Sequence, residues 1–322
     1  MLKPIFELFY EQKNITNDVS EYVTSIEYTD VEHGESDELQ INFEDSEKLW
    51  QGAWIPSKGD SLRCYIGYDT DKLLNCGTFE IDELEYETPP DTISVKGLAT
   101  GIKKPLRQKN SVGYENKTLK QIAKEVADKH GYTLVGEIED VRVDRITQNK
   151  ERDLSFLTKL AEQYGYIFKI AENNLVFYDV QKLKGAKSTQ IFYKSDLTQI
   201  NLREKTSQKY KSVQVSYYDP KKKKTVKATA RNENVAKGDT LKINVRCSDR
   251  KQAILKANAA LNTADTKIEG SIEMVGNPYI VAGLNIELKG IGHFSGKYHI
   301  KKVRHIIDRY TGYKTVCEVE TC

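Results

Sequence analysis

Hydrophobic and polar residues alternate along much of the chain, with the period of half-buried β-strands. In the predicted strand at residues 62–66, Leu62, Cys64 and Ile66 share one face while Arg63 and Tyr65 take the other. The same alternation predicts further strands at residues 39–43, 79–81, 93–95, 166–170, 175–178, 213–217, 225–229, 284–288, 298–303 and 315–319. Turn residues separate the first of these, which is typical of an antiparallel barrel or sandwich.

Two segments in the middle of the chain instead repeat their apolar residues at helical spacing. Thr118 and Gln121 fit a capping box, in which each side chain satisfies a backbone N–H group of the other residue. Gly131 can end this helix in a left-handed conformation. A second helix is predicted at residues 153–164, with Gly165 at its end.

A third predicted helix, residues 249–261, interrupts the later strands. Ser248 is predicted to cap it, and its inward face is predicted to carry Ala253, Ile254, Ala257 and Leu261. The pattern therefore predicts a β-rich α+β fold in three consecutive domains. These are a first β-rich domain at residues 1–105, a small α+β domain at residues 106–199, and a second β-rich domain at residues 200–322 with the helix near 249–261 inserted.

Composition indicates a soluble globular protein of two or three domains. The chain has 322 residues, a mass of 36.8 kDa and a mean hydropathy of -0.60. No stretch approaches 18 consecutive apolar residues, and the N-terminus lacks the pattern of a secretory signal, so no membrane anchor is expected. The five cysteines are too few and too widely spaced for a disulfide framework or a zinc site: Cys64, Cys76, Cys247, Cys317 and Cys322. We expect assembly in a reducing cytoplasm.

The net charge of +2 conceals an asymmetry between the two ends of the chain. Residues 1–100 contain 7 Lys and Arg against 22 Asp and Glu, a balance of -15, whereas the other 222 residues have a balance of +17. Two interpretations stand: two solvated surfaces of opposite sign, or an acidic part of one subunit facing a basic part of its neighbour. Nucleic-acid binding is a weaker interpretation, because the basic residues are scattered over many elements.

No motif of a known catalytic chemistry is present. The sequence has no Walker-type phosphate loop, no GxGxxG between a strand and a helix, no HExxH and no GxSxG. The five histidines do not cluster, and His299 and His305 are expected to be packing or surface residues. No pair of carboxylates is singled out for glycoside hydrolysis. We therefore predict no catalytic, cofactor-binding or metal-binding residues and no cofactor.

Four segments, in order along the chain, resemble the phage late-control D family. They are residues 28–30 with 35–41, residues 76–83, Gln148 with residues 153–165, and residues 276–283 with 296–305. In letters they read YTD with ESDELQI, CGTFEIDE, Q with DLSFLTKLAEQYG, and GNPYIVAG with GKYHIKKVRH. Members of this family are hub proteins of contractile-tail baseplates, related in fold to the hub part of type VI secretion spike proteins.

The resemblance implies that residues 1–105 and 200–322 are two tail-tube-like antiparallel β-barrel domains, the first and second hub barrels, with the small α+β domain between them. It further implies a homotrimer whose six barrels form a pseudo-six-fold ring around a channel, joining the tail tube to the central spike. The implied partners are a separate trimeric spike protein, the tail tube or a tube-initiator protein, other baseplate proteins, and the tape measure protein and DNA that pass through the channel. The location would be the virion tail baseplate, with assembly in the bacterial host cytoplasm.

Other functions stay open at this point. Type VI relatives continue into a repetitive β-helical needle, and no such repeat precedes the end at Cys322. The spike is therefore expected to be another polypeptide, which favours a phage or phage-derived particle over the hub of a type VI-like spike. A tail-associated hydrolase of cell wall or glycan is the main alternative from another class. A carbohydrate-binding adhesin is a third, although two Trp residues offer few stacking platforms.

Overall fold

The computed structural model describes residues 3–100, 108–204, 210–219, 223–233, 235, 238–264 and 268–322. The predicted domain boundary near residue 106 lies outside these residues. None of the helices in the described ranges combines the length and the apolarity needed to span a bilayer.

Strands dominate the described residues, and five α-helices interrupt them there. The strands are β1 (Pro4–Tyr10), β2 (Lys13–Asn14), β3 (Val23–Val31), β4 (Glu38–Glu44), β5 (Ser61–Tyr68), β6 (Leu74–Glu87), β7 (Thr92–Ala99), β8 (Lys109–Thr118), β9 (Thr133–Val135), β10 (Arg142–Arg152), β11 (Tyr166–Ala171), β12 (Asn174–Asp179), β13 (Gln190–Tyr193), β14 (Gln199–Glu204), β15 (Tyr210–Asp219), β16 (Lys224–Arg231), β17 (Asp239–Asn244), β18 (Ile268–Val275), β19 (Asn285–Lys289), β20 (Gly296–Asp308) and β21 (Gly312–Thr321). The helices are α1 (Thr16–Val19), α2 (Leu119–His130), α3 (Asp153–Tyr164), α4 (Val180–Gly185) and α5 (Arg250–Ala264).

The chain forms two compact units, each built from segments that are distant in sequence. Unit 1 comprises Met1–Gly101, Ser188–Leu202 and Gly270–Val319. Unit 2 comprises Ile102–Lys187, Arg203–Glu269 and Glu320–Cys322.

Unit 1 contains two six-stranded arrays with the same strand order. Neighbouring strands run β1-β5-β6-β7-β4-β3 in the first array and β13-β19-β20-β21-β18-β14 in the second. When each set is lettered a to f in chain order, both arrays read a-d-e-f-c-b. They differ where β1 pairs antiparallel with β5 while β13 pairs parallel with β19. Antiparallel pairing of β20 with β3 joins the two arrays into one sheet.

The equivalent e strands, β6 and β20, carry the same local pattern of glycine and apolar residues. Gly77, Phe79 and Ile81 on β6 correspond to Gly296, Tyr298 and Ile300 on β20. The two aromatic residues and the two isoleucines are all buried, at 2% exposure or less. Both arrays thus place an aromatic and an isoleucine at alternate positions facing the interior.

The strand alternation that the sequence predicts is confirmed in unit 1. Leu62, Cys64 and Ile66 on β5 are buried, while Arg63 and Tyr65 between them are partly exposed. The buried residues of β1 and of β3 to β7 form one apolar core for the first array.

Unit 2 contains helices packed on three small sheets. These are β8 with β10, β9-β12-β11, and β16-β15-β17. The capping box at Thr118 and Gln121 is confirmed, and Gly131 ends α2 in the left-handed conformation at φ +69°. Helix α3 begins and ends where the sequence predicts. Its residues Phe156, Leu157 and Leu160 are anchors of the unit's larger core.

Helix α5 departs from its prediction in two respects. Asp249, and not Ser248, is its cap, since the Asp249 carboxylate Oδ1 accepts a hydrogen bond from the Gln252 N–H at 2.7 Å. The Ser248 hydroxyl instead accepts from the Asp144 N–H, also at 2.7 Å. Ile254, predicted to face inward, is 38% exposed. Buried alanines dominate the inner face of this helix, so a large apolar side chain at residue 254 is not required for packing.

Strands β15, β16 and β17, which lie between β14 and β18 in the chain, are not part of the large sheet of unit 1. Residues 200–322 are the predicted second barrel, yet Arg203–Glu269 are grouped with unit 2. The reason is that β15, β16 and β17 form a separate sheet, and the apolar residues of this sheet pack with those of α5. The division into three consecutive domains stays a prediction.

Candidate functional site

The first and fourth sequence motifs meet where the two arrays of unit 1 are joined. The β3–β20 register places Tyr28 of the first motif opposite His305 of the fourth. The loop that begins at Gly276 and strand β21, which carries Tyr313, contribute further contacts. We call the group Tyr28, Asp30, Gly276, His305 and Tyr313 the junction cluster.

His305 is fully buried and engaged at both ring nitrogens. Its Nε2 donates to the Ile280 carbonyl at 2.9 Å, so Nδ1 is the acceptor for the Tyr313 hydroxyl at 2.8 Å. The Tyr28 ring stacks on the imidazole with centroids 6.0 Å apart. Burial lowers the pKa of His305 to about 4. The imidazole is therefore neutral at pH 7, and its hydrogen bonds hold strands and loop together rather than move protons.

Gly276 is required by its close approach to Tyr313. A Cβ atom at Gly276 would lie 2.1 Å from the Tyr313 ring. The Gly276 N–H donates to the Tyr313 carbonyl at 2.8 Å, and the Tyr68 hydroxyl donates to the Gly276 carbonyl at 3.0 Å. The Tyr68 and Tyr313 rings lie 5.4 Å apart. The glycine of the fourth motif thus lets the loop pack directly on an aromatic pair.

The carboxylates of the first motif satisfy backbone N–H groups. Asp30 is buried, and its Oδ2 accepts from the Ala282 N–H at 2.8 Å. Asp37 Oδ1 accepts from the Val31 N–H at 3.0 Å and so closes the turn between β3 and β4. The two aspartates of the motif therefore have structural partners.

The second motif packs against the junction cluster from β6. Phe79 is fully buried and makes an edge contact with the Tyr28 ring at 6.0 Å. Gly97 on β7 lies under Phe79, where a Cβ atom would come within 2.9 Å of the Phe79 Cβ. Gly77 adopts φ +101° with open space around it, so it provides a bend and not a close approach.

The third motif forms a second buried polar group, in unit 2. Gln148 Nε2 donates to Asp153 Oδ1 at 2.6 Å, and Asn110 Nδ2 donates to the same oxygen at 3.1 Å. Asp153 Oδ2 accepts hydrogen bonds from Lys129 Nζ at 2.8 Å and from His130 Nε2 at 2.7 Å. The glutamine and the aspartate of this motif thus tie β10 and the start of α3 to the end of α2 and to β8.

The electrostatics of Asp153 follow from these donors. Burial acts to raise the pKa of the Asp153 carboxyl, but the hydrogen bonds from Lys129, Gln148 and His130 outweigh it and hold the pKa below its usual value. The carboxylate is therefore charged at pH 7 and is surrounded by donors. Such a group stabilises a fold and has no open face for a substrate.

A third buried polar group, in unit 1, involves His299. Its Nε2 lies 2.6 Å from Glu32 Oε1, and its Nδ1 lies 2.7 Å from Asn285 Oδ1. All three side chains are buried. The motif analysis missed Glu32 and Asn285, because partners 267 and 14 residues away from His299 leave no local spacing signal.

His299 and His305, the two histidines singled out in the sequence, are thus buried packing residues of β20. They belong to different groups of contacts. Within the described residues, no group of three or more His, Cys, Asp and Glu side chains is arranged to hold a metal ion. The chemical role of these residues is to form hydrogen bonds with buried backbone and side-chain groups, at places where elements distant in sequence meet.

Known proteins resemble the chain both in sequence and in fold. The family model described as the Alg8 N-terminal domain matches residues 18–309. A probable baseplate hub protein of Escherichia phage 186 is 26% identical over 178 residues, which are 55% of this chain and 45% of that protein. The chain therefore spans about half the length of the curated relatives it matches.

Solved structures with a similar fold come from tail and secretion machines. The 43 kDa tail protein of prophage MuSo2 from Shewanella oneidensis has a TM-score of 0.73 at 17% identity, covering 98% of both chains. An Escherichia coli component of the type VI secretion system has a TM-score of 0.56 at 14% identity, covering 94% of this chain and 74% of that one. On these findings the chain belongs to the family of the Alg8 N-terminal domain, and its resemblance to phage baseplate hub proteins agrees with the motifs that meet in its core.

Proposed function

We propose that the chain is the structural hub of a contractile-tail baseplate, in a phage or a phage-derived particle. The observation that carries this proposal is the full-length match in fold to a prophage tail protein, which covers 98% of both chains. The curated relatives, named as probable baseplate hub proteins, support it. Three of the four motifs support it too, since their residues serve packing at or beside the junction of the two arrays.

We further propose that the hub is a homotrimer with pseudo-six-fold symmetry. The repeated strand order in unit 1 supports this, because a chain with two equivalent arrays supplies six when three copies assemble. In this proposal the two arrays are the two hub barrels, and unit 2 is made of two insertions, residues 102–187 and 203–269. The ring would match a six-fold tube on one side and a three-fold spike on the other.

The proposed partners follow from that position. They are a separate trimeric spike, the tail tube or its initiator, and other baseplate proteins, with the tape measure protein and DNA passing through the channel. The proposed location is the virion tail baseplate, after assembly in the host cytoplasm. We propose no catalytic activity.

Light scattering behind size exclusion tests the trimer. One chain has a mass of 36.8 kDa, so three times that mass, 110.4 kDa, is expected for the assembled ring. A monomer that also fails to form a complex on co-expression with the spike protein would contradict the hub proposal. A ring with a central channel in electron micrographs would support it.

Zymography on bacterial cell walls tests the hydrolase alternative. If the chain is a structural hub, it should produce no cleared zone in the cell-wall gel. Lysozyme is the positive control. Clearing by the purified chain that survives repurification would replace the structural proposal by an enzymatic one.

A further inference from the structure

Unit 2 contains a cavity with three basic side chains in its walls, one of which, Arg145, is paired with Glu115 (Nε to Oε1, 3.5 Å). Its volume is about 350 Å³, and it lies between β10, the end of α3 and the segment leading into α5. Three basic side chains line it, those of Arg145, Arg246 and Lys256, while no Asp or Glu is among the lining residues of the described chain. An apolar wall is provided by Val143, Ile146 and Val245. We call this the basic cavity.

Lys256 is held in place by neutral groups. Its Nζ donates to Gln163 Oε1 at 3.1 Å and to the Arg246 carbonyl at 3.2 Å, and it lies 5.1 Å from the centre of the Tyr164 ring. Burial lowers the pKa of Lys256, as expected for an ammonium group shielded from water. An ammonium has three N–H donors, so these two hydrogen bonds leave one for a ligand. A carboxylate placed there would pair with the ammonium and offset the free-energy cost of keeping its charge away from water.

Hydrogen bonds between its own residues hold the cavity wall in place. Gln252 Nε2 donates to the Tyr164 hydroxyl at 2.6 Å, and Gln252 Oε1 accepts from the Ser248 N–H at 2.5 Å. These bonds tie the start of α5 to the end of α3. Side chains that are already fixed by such hydrogen bonds lose little conformational entropy when a ligand binds.

Unit 1 presents a segment of complementary charge. Residues 82–91, at the far end of β6 and its turn toward β7, contain five carboxylates and no Lys or Arg. All but Leu84 and Asp91 are exposed, and the Tyr86 ring is 47% exposed. The Tyr86 hydroxyl donates to Asp91 Oδ1 at 3.0 Å and orders the turn. We call residues 82–91 the acidic hairpin.

We propose that the basic cavity of one copy binds the acidic hairpin of a second copy. The proposal rests on the self-assembly proposed above and names the contact that would drive it. Charge complementarity supports it, since the acidic hairpin belongs to the part of the chain with a balance of -15 and the cavity to the part with +17. The volume lies within the range of ligand pockets. Phosphate sites commonly use clustered backbone N–H groups at glycine-rich turns. This cavity instead has separate cationic side chains beside an apolar wall, which suits a peptide with both acidic and apolar side chains.

Sedimentation of full-length variants at low salt tests the contact. Lys256→Gln removes the cavity's half-buried cation, and Lys251→Gln on the same helix is the matched control, because Lys251 is exposed and outside the cavity. A triple variant, Glu83→Gln with Glu85→Gln and Glu87→Gln, neutralises the hairpin. We expect self-association to weaken about tenfold or more in the cavity and hairpin variants and to stay unchanged in the control.

Mixing the two defective variants makes the test specific. The cavity variant keeps an intact hairpin and the hairpin variant keeps an intact cavity, so the mixture should form a complex that neither forms alone. Should Lys256→Gln fail to fold, the exposed Arg246→Gln takes its place.

Several outcomes overturn the proposal. They are a wild type that stays monomeric, a Lys256→Gln chain that assembles like the control, a mixture that fails to associate, or a cavity that binds inorganic phosphate while assembly is unaffected. A Lys256→Gln chain that still reaches the trimer mass would reject this contact and leave the hub proposal standing. Loss of all complexes with the spike would instead reject the hub.

Discussion

His305 illustrates how a titratable residue can be purely structural in this protein. Its two ring nitrogens are occupied by the Ile280 carbonyl and the Tyr313 hydroxyl, and Tyr28 covers one face of the ring. A histidine in a strand is compatible with catalysis, ligation or packing when only the sequence is known. The burial of His305 and its hydrogen bonds show that it is a packing residue, because both ring nitrogens already have partners and neither is left for a substrate.

The depressed pKa of His305 predicts a pH dependence of stability. The folded-state pKa of about 4 lies below the usual 6.5, so between these values the unfolded chain binds more protons. The free energy of unfolding should therefore rise with pH across this window, by about 3 kcal/mol in all, and the gain should be complete above pH 6.5. Urea denaturation at several pH values measures it.

The control is His305→Gln, whose unfolding free energy should have a smaller slope against pH over the same window. NMR titration of the wild type gives a direct check, since the His305 ring should remain neutral at pH 5.5. A ring that protonates near pH 6.5 would contradict the packing role.

Gly276→Ala should destabilise the protein by about 1–3 kcal/mol, because the new Cβ would overlap the Tyr313 ring and force a buried aromatic to move. Gly113→Ala is the matched control. At Gly113 no atom lies within 4 Å of a Cβ, and we expect a change within about 0.5 kcal/mol. Urea unfolding of both variants compares them. Equal stabilities would show that the junction cluster tolerates overpacking.

At the scale of elements, local signals placed the helices of unit 2 well. The capping box of α2 and the terminal glycines of α2 and α3 lie where the sequence predicts them, because these bonds join residues three to five positions apart. The start of α5 was less well defined. Ser248 and Asp249 are both residue types that commonly cap helices. The Ser248 hydroxyl already accepts a hydrogen bond from the Asp144 N–H, so Asp249 caps α5.

Asp249→Ala should destabilise the chain by about 1 kcal/mol through loss of the bond to the Gln252 N–H. Asp249→Asn should retain most of the stability, since an asparagine caps nearly as well. Thermal unfolding followed by circular dichroism measures both variants. If the alanine variant unfolds like the asparagine variant, the cap contributes nothing measurable.

At the scale of the whole molecule, the repeat in unit 1 is the main finding. Two arrays with the order a-d-e-f-c-b are joined by the β20–β3 pair, and three of the four motifs lie at or beside this junction. The repeat explains why similar glycine and aromatic patterns occur on β6 and β20. In the proposed trimer, the same repeat would let one chain supply two equivalent arrays.

The charge asymmetry predicts salt-sensitive assembly. If acidic and basic parts of neighbouring copies face each other, raising NaCl from 0.1 M to 1 M shortens the screening length from about 10 Å to about 3 Å and weakens their attraction. The mass measured by light scattering should then fall toward that of one chain. An unchanged mass in 1 M NaCl would favour the other interpretation, two solvated surfaces.

The sequence by itself determined the strand alternation, two of the three predicted helices in detail, and the order of the four motifs. All of these depend on residues close together in the chain, where periodicity and capping have direct energetic consequences. It also indicated that the motif residues form no catalytic constellation, although it did not tell which residues they contact.

Only the tertiary structure decided how the strands pair and what the motifs do. The β20–β3 pair joins residues more than 270 positions apart, and Arg203–Glu269 pack with an earlier insertion and not with the strands that flank them. Such pairings leave no local pattern, because alternation shows which face of a strand is buried and not which strand lies beside it. The neutral state of His305, the need for glycine at residue 276 and the basic cavity all arise from that long-range packing.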